Sequence, residues 1–220
     1  MRTSIIPVIH YHDDDLAMWN AEKAHEAGCD GILLIDMAGD GRRLVPIAQQ
    51  VKIARPDLLV GVNHLGLDPL QSLRTNMAAG LDMTWTDHQP THTEAIDDDL
   101  AKRMARQIRG GSHLLFTGVA FKHQRPEPDP VGAALSACAH GFIPTTSGPA
   151  TGIAADPRRI AALRAGIGDS APLAIASGIT PGNFAMFAPY LSHVLVATGV
   201  SSSFHELDAD LLEELVQQAS

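Results

Sequence analysis

Short apolar runs alternate with longer amphipathic stretches from one end of the chain to the other. The runs cover residues 5–10, 31–36, 58–63, 83–86, 114–119, 142–146, 173–176 and 194–197. Each has the length of a strand, and the first three and the last are rich in β-branched residues. Runs that are apolar at consecutive positions, rather than at alternate ones, suit parallel strands buried on both faces. The intervening stretches at 14–27, 42–54, 69–79, 97–109, 130–139, 157–165, 181–188 and 208–218 read as helices. Asp68-Pro69, Asp156-Pro157 and Thr180-Pro181 supply helix starts. The first residue accepts from free amides, and the proline occupies a position that needs no donor. Gly28, Gly80, Gly110 and Gly166 are expected to end helices, because a left-handed residue closes a helix with least strain.

Eight strand–helix units in succession predict an α/β fold: a single (β/α)8 TIM barrel with a closed parallel sheet, occupying residues 1–220. An open doubly wound sheet is the alternative, but six strands would suffice for it and no glycine fingerprint follows the first strand. No polar linker or shift in composition divides the chain. The Pro-rich segment 125–130 falls where a loop is due and reads as a stiff entry into the next helix.

Composition narrows the functional classes. Hydrophobic residues make up 45% and charged residues 19% of 220, enough for a large core and too apolar for global disorder. A formal net charge of −9 excludes a general nucleic-acid binder but leaves room for a local anion pocket. Cys29 and Cys138 have no metal-ligand spacing and read as reduced thiols. The N-terminus runs directly into a strand pattern and no apolar run reaches membrane length, so a cytoplasmic protein without membrane partners is expected. The apolar helix faces are compatible with a homo-oligomer.

The candidate chemistry gathers at the C-terminal ends of the strands, the face on which barrel enzymes build their sites. Ser177-Gly178-Ile179 follows the seventh strand, and Thr198-Gly199 with Ser201 follows the eighth. Barrels commonly grip phosphate between these two loops, since glycine allows close backbone approach and exposed amides face the anion. Thr146, Ser147 and Gly148 after strand six are expected to contact the same ligand, as are Asn63 and His64 after strand three. His10, Asp36, Asp87 and Lys122 are the candidate catalytic residues. Lys122 in an apolar mouth would act as a Schiff-base nucleophile or general base, or stay charged against phosphate. The two aspartates would move protons or accept from sugar hydroxyls.

No cofactor is expected. A barrel-hydrolase metal site would extend His10 and His12 with histidines after strands five and six and an aspartate after strand eight. Lys122, Thr146 and Thr198 stand there instead, and His113, His140 and His193 precede their strands, at the opposite end. A weaker metal set of His10, His12, Asp36 and His64 stays open as an alternative to no metal.

Residues 116–122 (Phe-Thr-Gly-Val-Ala-Phe-Lys), 145–149 (Thr-Thr-Ser-Gly-Pro), 176–181 (Ala-Ser-Gly-Ile-Thr-Pro) and 196–199 (Val-Ala-Thr-Gly) resemble the BtpA/SgcQ-like branch of the phosphate-binding TIM barrels. The resemblance runs from Pro7 onward and implies the phosphate role for Ser177, Gly178, Thr198 and Gly199. It transfers no catalytic residue. Members named for BtpA are linked to photosystem I assembly and carry a longer proline-rich segment after strand one. Here Tyr11-His12-Asp13 stands in that place, which argues against a photosynthetic role. Two functions follow: an enzyme acting on a sugar phosphate or phosphoribosyl compound, as lyase, isomerase or transferase, or a non-catalytic binding or assembly protein that keeps the phosphate pocket.

Overall fold

The computed structural model describes residues 2–39 and 41–220. Its elements are β1 (Ser4–His10), α1 (Asp14–Glu26), β2 (Gly31–Ile35), α2 (Leu44–Ala54), β3 (Leu59–Asn63), α3 (Pro69–Ala78), β4 (Met83–Thr86), α4 (Asp98–Ile108), β5 (Leu114–Gly118), α5 (Pro130–Ala139), β6 (Ile143–Thr146), α6 (Pro157–Ile167), β7 (Ala174–Ala176), α7 (Pro181–Phe184), β8 (His193–Val196) and α8 (Ala209–Ala219). All pairings are parallel and the sheet closes on itself through β1 and β8, with Ile5 opposite Val194 and Pro7 opposite Val196. The open-sheet alternative is thereby excluded.

Strand residues divide by parity into two apolar clusters. Ile5, Ile9, Ile32, Leu34, Val60, Val62, Ile175 and Val194 pack outward against the helices. Ile6, Val8, Leu33, Ile35, Met83, Trp85, Phe116, Ile143 and Leu195 fill the barrel interior. Large side chains fit there because glycine lies opposite them: a Cβ on Gly61 would stand 2.5 Å from the Cβ of Met83 and 2.8 Å from Leu33 Cδ2.

Helix starts follow the predicted chemistry. The carboxylates of Asp13, Asp68, Asp97, Asp129, Asp156 and Asp208 each accept from an amide in the first turn of the helix they precede. Six of the chain's 25 acidic residues are thus committed to capping. Gly28, Gly80 and Gly110 follow helices at positive φ, as expected. Gly166 does not end its helix: it lies within α6, where a Cβ would meet Val131 Cγ1 at 2.3 Å, so its small size serves the contact between α5 and α6. The stop is Gly168, at φ 81°. The seventh helix is also shorter than predicted, ending at Phe184 before a 3-10 turn at Ala188–Tyr190. Pro189 accounts for this, because its ring disfavours helix in the residue before it and clashes with the carbonyl four residues back.

The histidines assigned to the structural end are found there. His113 lies within hydrogen-bond distance of Thr84 Oγ1 (2.8 Å) and the Leu81 carbonyl (3.0 Å), and His140 caps α5. His193 opens β8 with its ring edge-on to Phe116 at 5.4 Å. Cys29 and Cys138 are unpaired; burial pushes the Cys29 thiol up to about 12, which keeps it protonated. No helix among the described residues is long and apolar enough to cross a membrane.

Burial lowers the His193 pKa from 6.5 to about 4. The unfolded chain therefore takes up this proton first as pH falls, and the folded state loses stability between pH 6.5 and about 4, by at most about 3 kcal/mol at this position. Urea midpoints measured across that window are expected to fall less steeply for His193→Phe than for the native chain; equal slopes would refute the assignment.

Candidate functional site

Strand parity decides which predicted residues meet. Continuing the inward-facing register, the C-terminal mouth encloses a cavity of about 170 Å³, lined by His10, Asp87, Lys122, Ser177, Gly178 and Thr198 among others. Its floor is Val8, Ile35, Trp85, Ala176 and Leu195, the top of the interior cluster. A larger groove of about 860 Å³ opens at the opposite end, between the last turns of α4 and α5. It collects none of the candidate residues, and basic side chains there complement the negative C-terminal end of α4.

Asp87 is partly buried and accepts from Asn63 Nδ2 at 3.2 Å. Burial raises its pKa; the Asn63 hydrogen bond and the positive charge of Lys122 oppose this without cancelling it. Lys122 is half-buried with its ammonium 5.6 Å from the centre of the Phe121 ring. Burial lowers its pKa and the Asp87 charge partly restores it. Burial thus brings the two pKa values closer together, which eases proton exchange at the mouth and makes the Lys122 amine more accessible as a base or nucleophile.

The loops carrying these groups are strained and braced. Ala120 (φ 48°), His123 (φ 61°) and Ser177 (φ 91°) are the positive-φ non-glycine residues among those described, and all three belong to loops at the mouth. Gln89 Nε2 donates to the Arg125 carbonyl at 2.8 Å, while Gln89 Oε1 accepts from the Phe121 amide at 3.1 Å. Glu127, buried beside His92, accepts from the amides of Thr93 (3.0 Å) and Asp129 (2.9 Å). The Pro-rich segment is therefore a fixed clamp between the loops after β4 and β5.

The turns after β7 and β8 come together closely. A Cβ on Gly199 would lie 1.8 Å from the Ile179 carbonyl oxygen, and one on Gly178 would lie 2.4 Å from the Ile153 carbonyl oxygen. Only glycine allows these backbones to approach so near. Among the described residues, neither the Gly178 nor the Ile179 amide donates to another protein atom. The Ile179 side chain is fully buried in the outer core, so only its backbone faces the turn. Thr198–Val200 forms one 3-10 turn.

Some other candidate residues are engaged in contacts of their own, and some lie outside the mouth cavity. The Ser177 hydroxyl accepts from the Gly152 amide (3.1 Å) and donates to the Ala150 carbonyl (3.2 Å), tying two loops together at the edge of the cavity that Ser177 also lines. Ser201 Oγ donates to the Ala197 carbonyl at 2.9 Å. Thr146, Ser147 and Gly148 are buried behind the mouth; Ser147 Oγ accepts from the Lys122 amide at 2.8 Å, and Thr151 lines the cavity in their place. Asp36 and His64 follow inward-facing residues by one position. They line a neighbouring groove, and Asp36 accepts from the amides of Ala38 (2.8 Å) and Gly41 (3.0 Å). The set His10, His12, Asp36 and His64 is accordingly dispersed, and no cluster of metal-binding side chains occurs among the described residues.

One feature had no sequence signal. Residues 201–207 fold back over the end of β1, closed by a bridge between Ser201 and Leu207. Phe204 stacks on His10 with centroids 4.4 Å apart, and its carbonyl lies 2.9 Å from His10 Nδ1. Burial lowers the His10 pKa more than the Phe204 hydrogen bond raises it. His10 thus anchors this loop as well as lining the cavity.

Compared by sequence, the chain matches no protein-family model and no curated protein. Its fold is similar to solved structures. One described as native KDPGal has a TM-score of 0.73 at 16% identity, covering 100% of this chain and 97% of the other. A 3-hexulose-6-phosphate synthase gives 0.72 at 14%, covering 99% of each. Phosphoribosyl anthranilate isomerase from Thermotoga maritima gives 0.71 at 16%, covering 99% and 98%. At these identities the likeness establishes the shared closed barrel.

Because the Asp87 charge raises the Lys122 pKa, removing it lowers that pKa further. Reductive methylation with labelled formaldehyde, followed by NMR across pH, is expected to show Lys122 titrating below the other lysines. Asp87→Asn should move the midpoint lower still. A midpoint at the ordinary lysine value, or an upward shift in the variant, would contradict this geometry.

Proposed function

We propose that the protein is an enzyme acting on a phosphorylated small molecule of the sugar-phosphate or phosphoribosyl type. The phosphate would rest on the turns after β7 and β8, and chemistry would take place at Asp87 and Lys122. The observation that carries this reading is the approach of Gly199 to the Ile179 carbonyl, beside a cavity that also holds the two titratable groups. The Gly178 and Ile179 amides supply anion donors without any side chain, which suits a backbone cradle. The names of two of the similar structures contain a hexulose 6-phosphate and a phosphoribosyl compound, which agrees with this class. The motifs at 116–122 and 176–181 resemble those of the BtpA/SgcQ-like branch, and this resemblance supports membership of that branch.

Anchored through phosphate, the reacting carbon would be held against the Asp87–Lys122 pair, with binding energy from the remote group used for alignment. If the substrate has a carbonyl, the Lys122 amine adds to its carbon, and loss of water gives an imine. Asp87 takes up the protons released by the Lys122 nitrogen and delivers them to the departing oxygen, which leaves as water.

Titration calorimetry with inorganic phosphate and a panel of aldehyde and keto sugar phosphates tests both parts. Binding is expected, and Gly199→Ala should weaken it at least about tenfold, because the added methyl drives the two turns apart. Borohydride should trap a mass gain on Lys122 with a bound carbonyl compound. Failure of every phosphate compound to bind removes the proposal. Binding without turnover or adduct across the panel would leave a non-catalytic phosphate-binding protein.

A further inference from the structure

Beside the mouth, the loops after β2 and β3 enclose a groove of about 380 Å³ that shares Leu65 with the mouth cavity. Leu44, Leu65 and Leu67 give it apolar walls, and Asp36 and His64 face it. The protonation of His64 follows from its neighbour. Asn76 is fully buried, and its Nδ2 donates to the Val62 carbonyl at 2.9 Å. That fixes the amide's orientation and leaves Oδ1 as an acceptor, 2.8 Å from His64 Nε2. Nε2 must therefore carry the proton, and in the neutral ring Nδ1 is a lone-pair acceptor.

Nδ1 has no hydrogen-bond partner among the described residues and faces Gly41, where even a Cβ would be 3.8 Å away. Burial lowers the His64 pKa, which favours the neutral ring near pH 7. The Asp36 carboxylate keeps acceptor capacity beyond its two loop amides. An imidazole acceptor and a carboxylate on apolar walls select a flat or hydroxylated group that presents N–H or O–H donors.

We propose that this groove is a subsite for a second, donor-bearing part of the ligand, joined to the phosphorylated part in the mouth and read by His64 Nδ1. The inference rests on the phosphate-bearing reading of the mouth and extends it: the substrate has two parts, a sugar phosphate and a ring or amide with N–H or O–H donors, and the second part passes over Leu65.

Long-range ¹H–¹⁵N spectra of the imidazoles in the intact protein test it. His64 is expected in the Nε2–H form, its Nδ1 resonance unmoved by inorganic phosphate or ribose 5-phosphate and shifted by at least one of the four common nucleoside 5′-monophosphates. His64→Gln keeps a donor towards Asn76 and replaces the ring lone pair at Nδ1 with an amide oxygen at a different position. It should leave phosphate affinity unchanged and weaken that nucleotide about tenfold. The subsite is overturned if nucleotides bind while His64 is unmoved and the variant binds them equally; if the variant does not fold, the native spectra alone decide. Should no phosphate compound bind, the mouth reading falls separately, and free nucleosides at millimolar concentration decide the groove: a shifted Nδ1 supports it, an unmoved one overturns it.

Discussion

Closure of the sheet through β1 and β8 is the constraint on which the rest depends. It joins Ser4 to His193 and Pro7 to Val196 across almost the whole chain, and no local interaction substitutes for it. With closure, the ends of eight strands become one rim. Phe204 then reaches His10, and Lys23 on α1 pairs with Glu206 at 2.8 Å. Without it, the mouth has no shared interior and the turns after β7 and β8 have nothing to face. The site is therefore a property of the closed ring, and its precision derives from long-range pairing more than from any single loop.

Inside that ring, polar groups are held under tension between burial and partnership. Asp87 and Lys122 are each moved towards neutrality by burial and partly returned by the other's charge. Their loops are meanwhile fixed by Gln89 and Glu127, which restrict how far the pair can relax. Strained backbone at Ala120, His123 and Ser177 occurs in this same region, consistent with a site whose geometry is set by its surroundings.

The architecture was legible because two periodicities and a simple capping chemistry agree along the chain. Consecutive apolar runs marked the strands, and Asp-Pro pairs marked starts that the structure reproduces at Pro69 and Pro157. Side-chain direction at the rim was much less legible. Strand side chains alternate in direction, so a shift of one residue moves a group from the mouth to the outer wall. Asn63 falls on the inner side and His64 on the outer; the same step separates Ile35 from Asp36. Choosing polar residues near strand ends without tracking parity merged two cavities into one. Hydroxyl contacts were less legible for another reason: Ser177 and Ser147 bond to neighbouring loops, contacts that short-range sequence cannot disclose. The fold of 201–207 over β1 was hidden likewise, since its partners lie at the other end of the chain.

The packed interior has a bearing on traffic through the molecule. Phe116, backed by His193, fills the barrel below the cavity floor formed by Val8, Trp85 and Leu195. The mouth is therefore a blind alley and not a tunnel. A guest must depart through the doorway by which it arrived, beside the Phe204 loop, before the next can take its place.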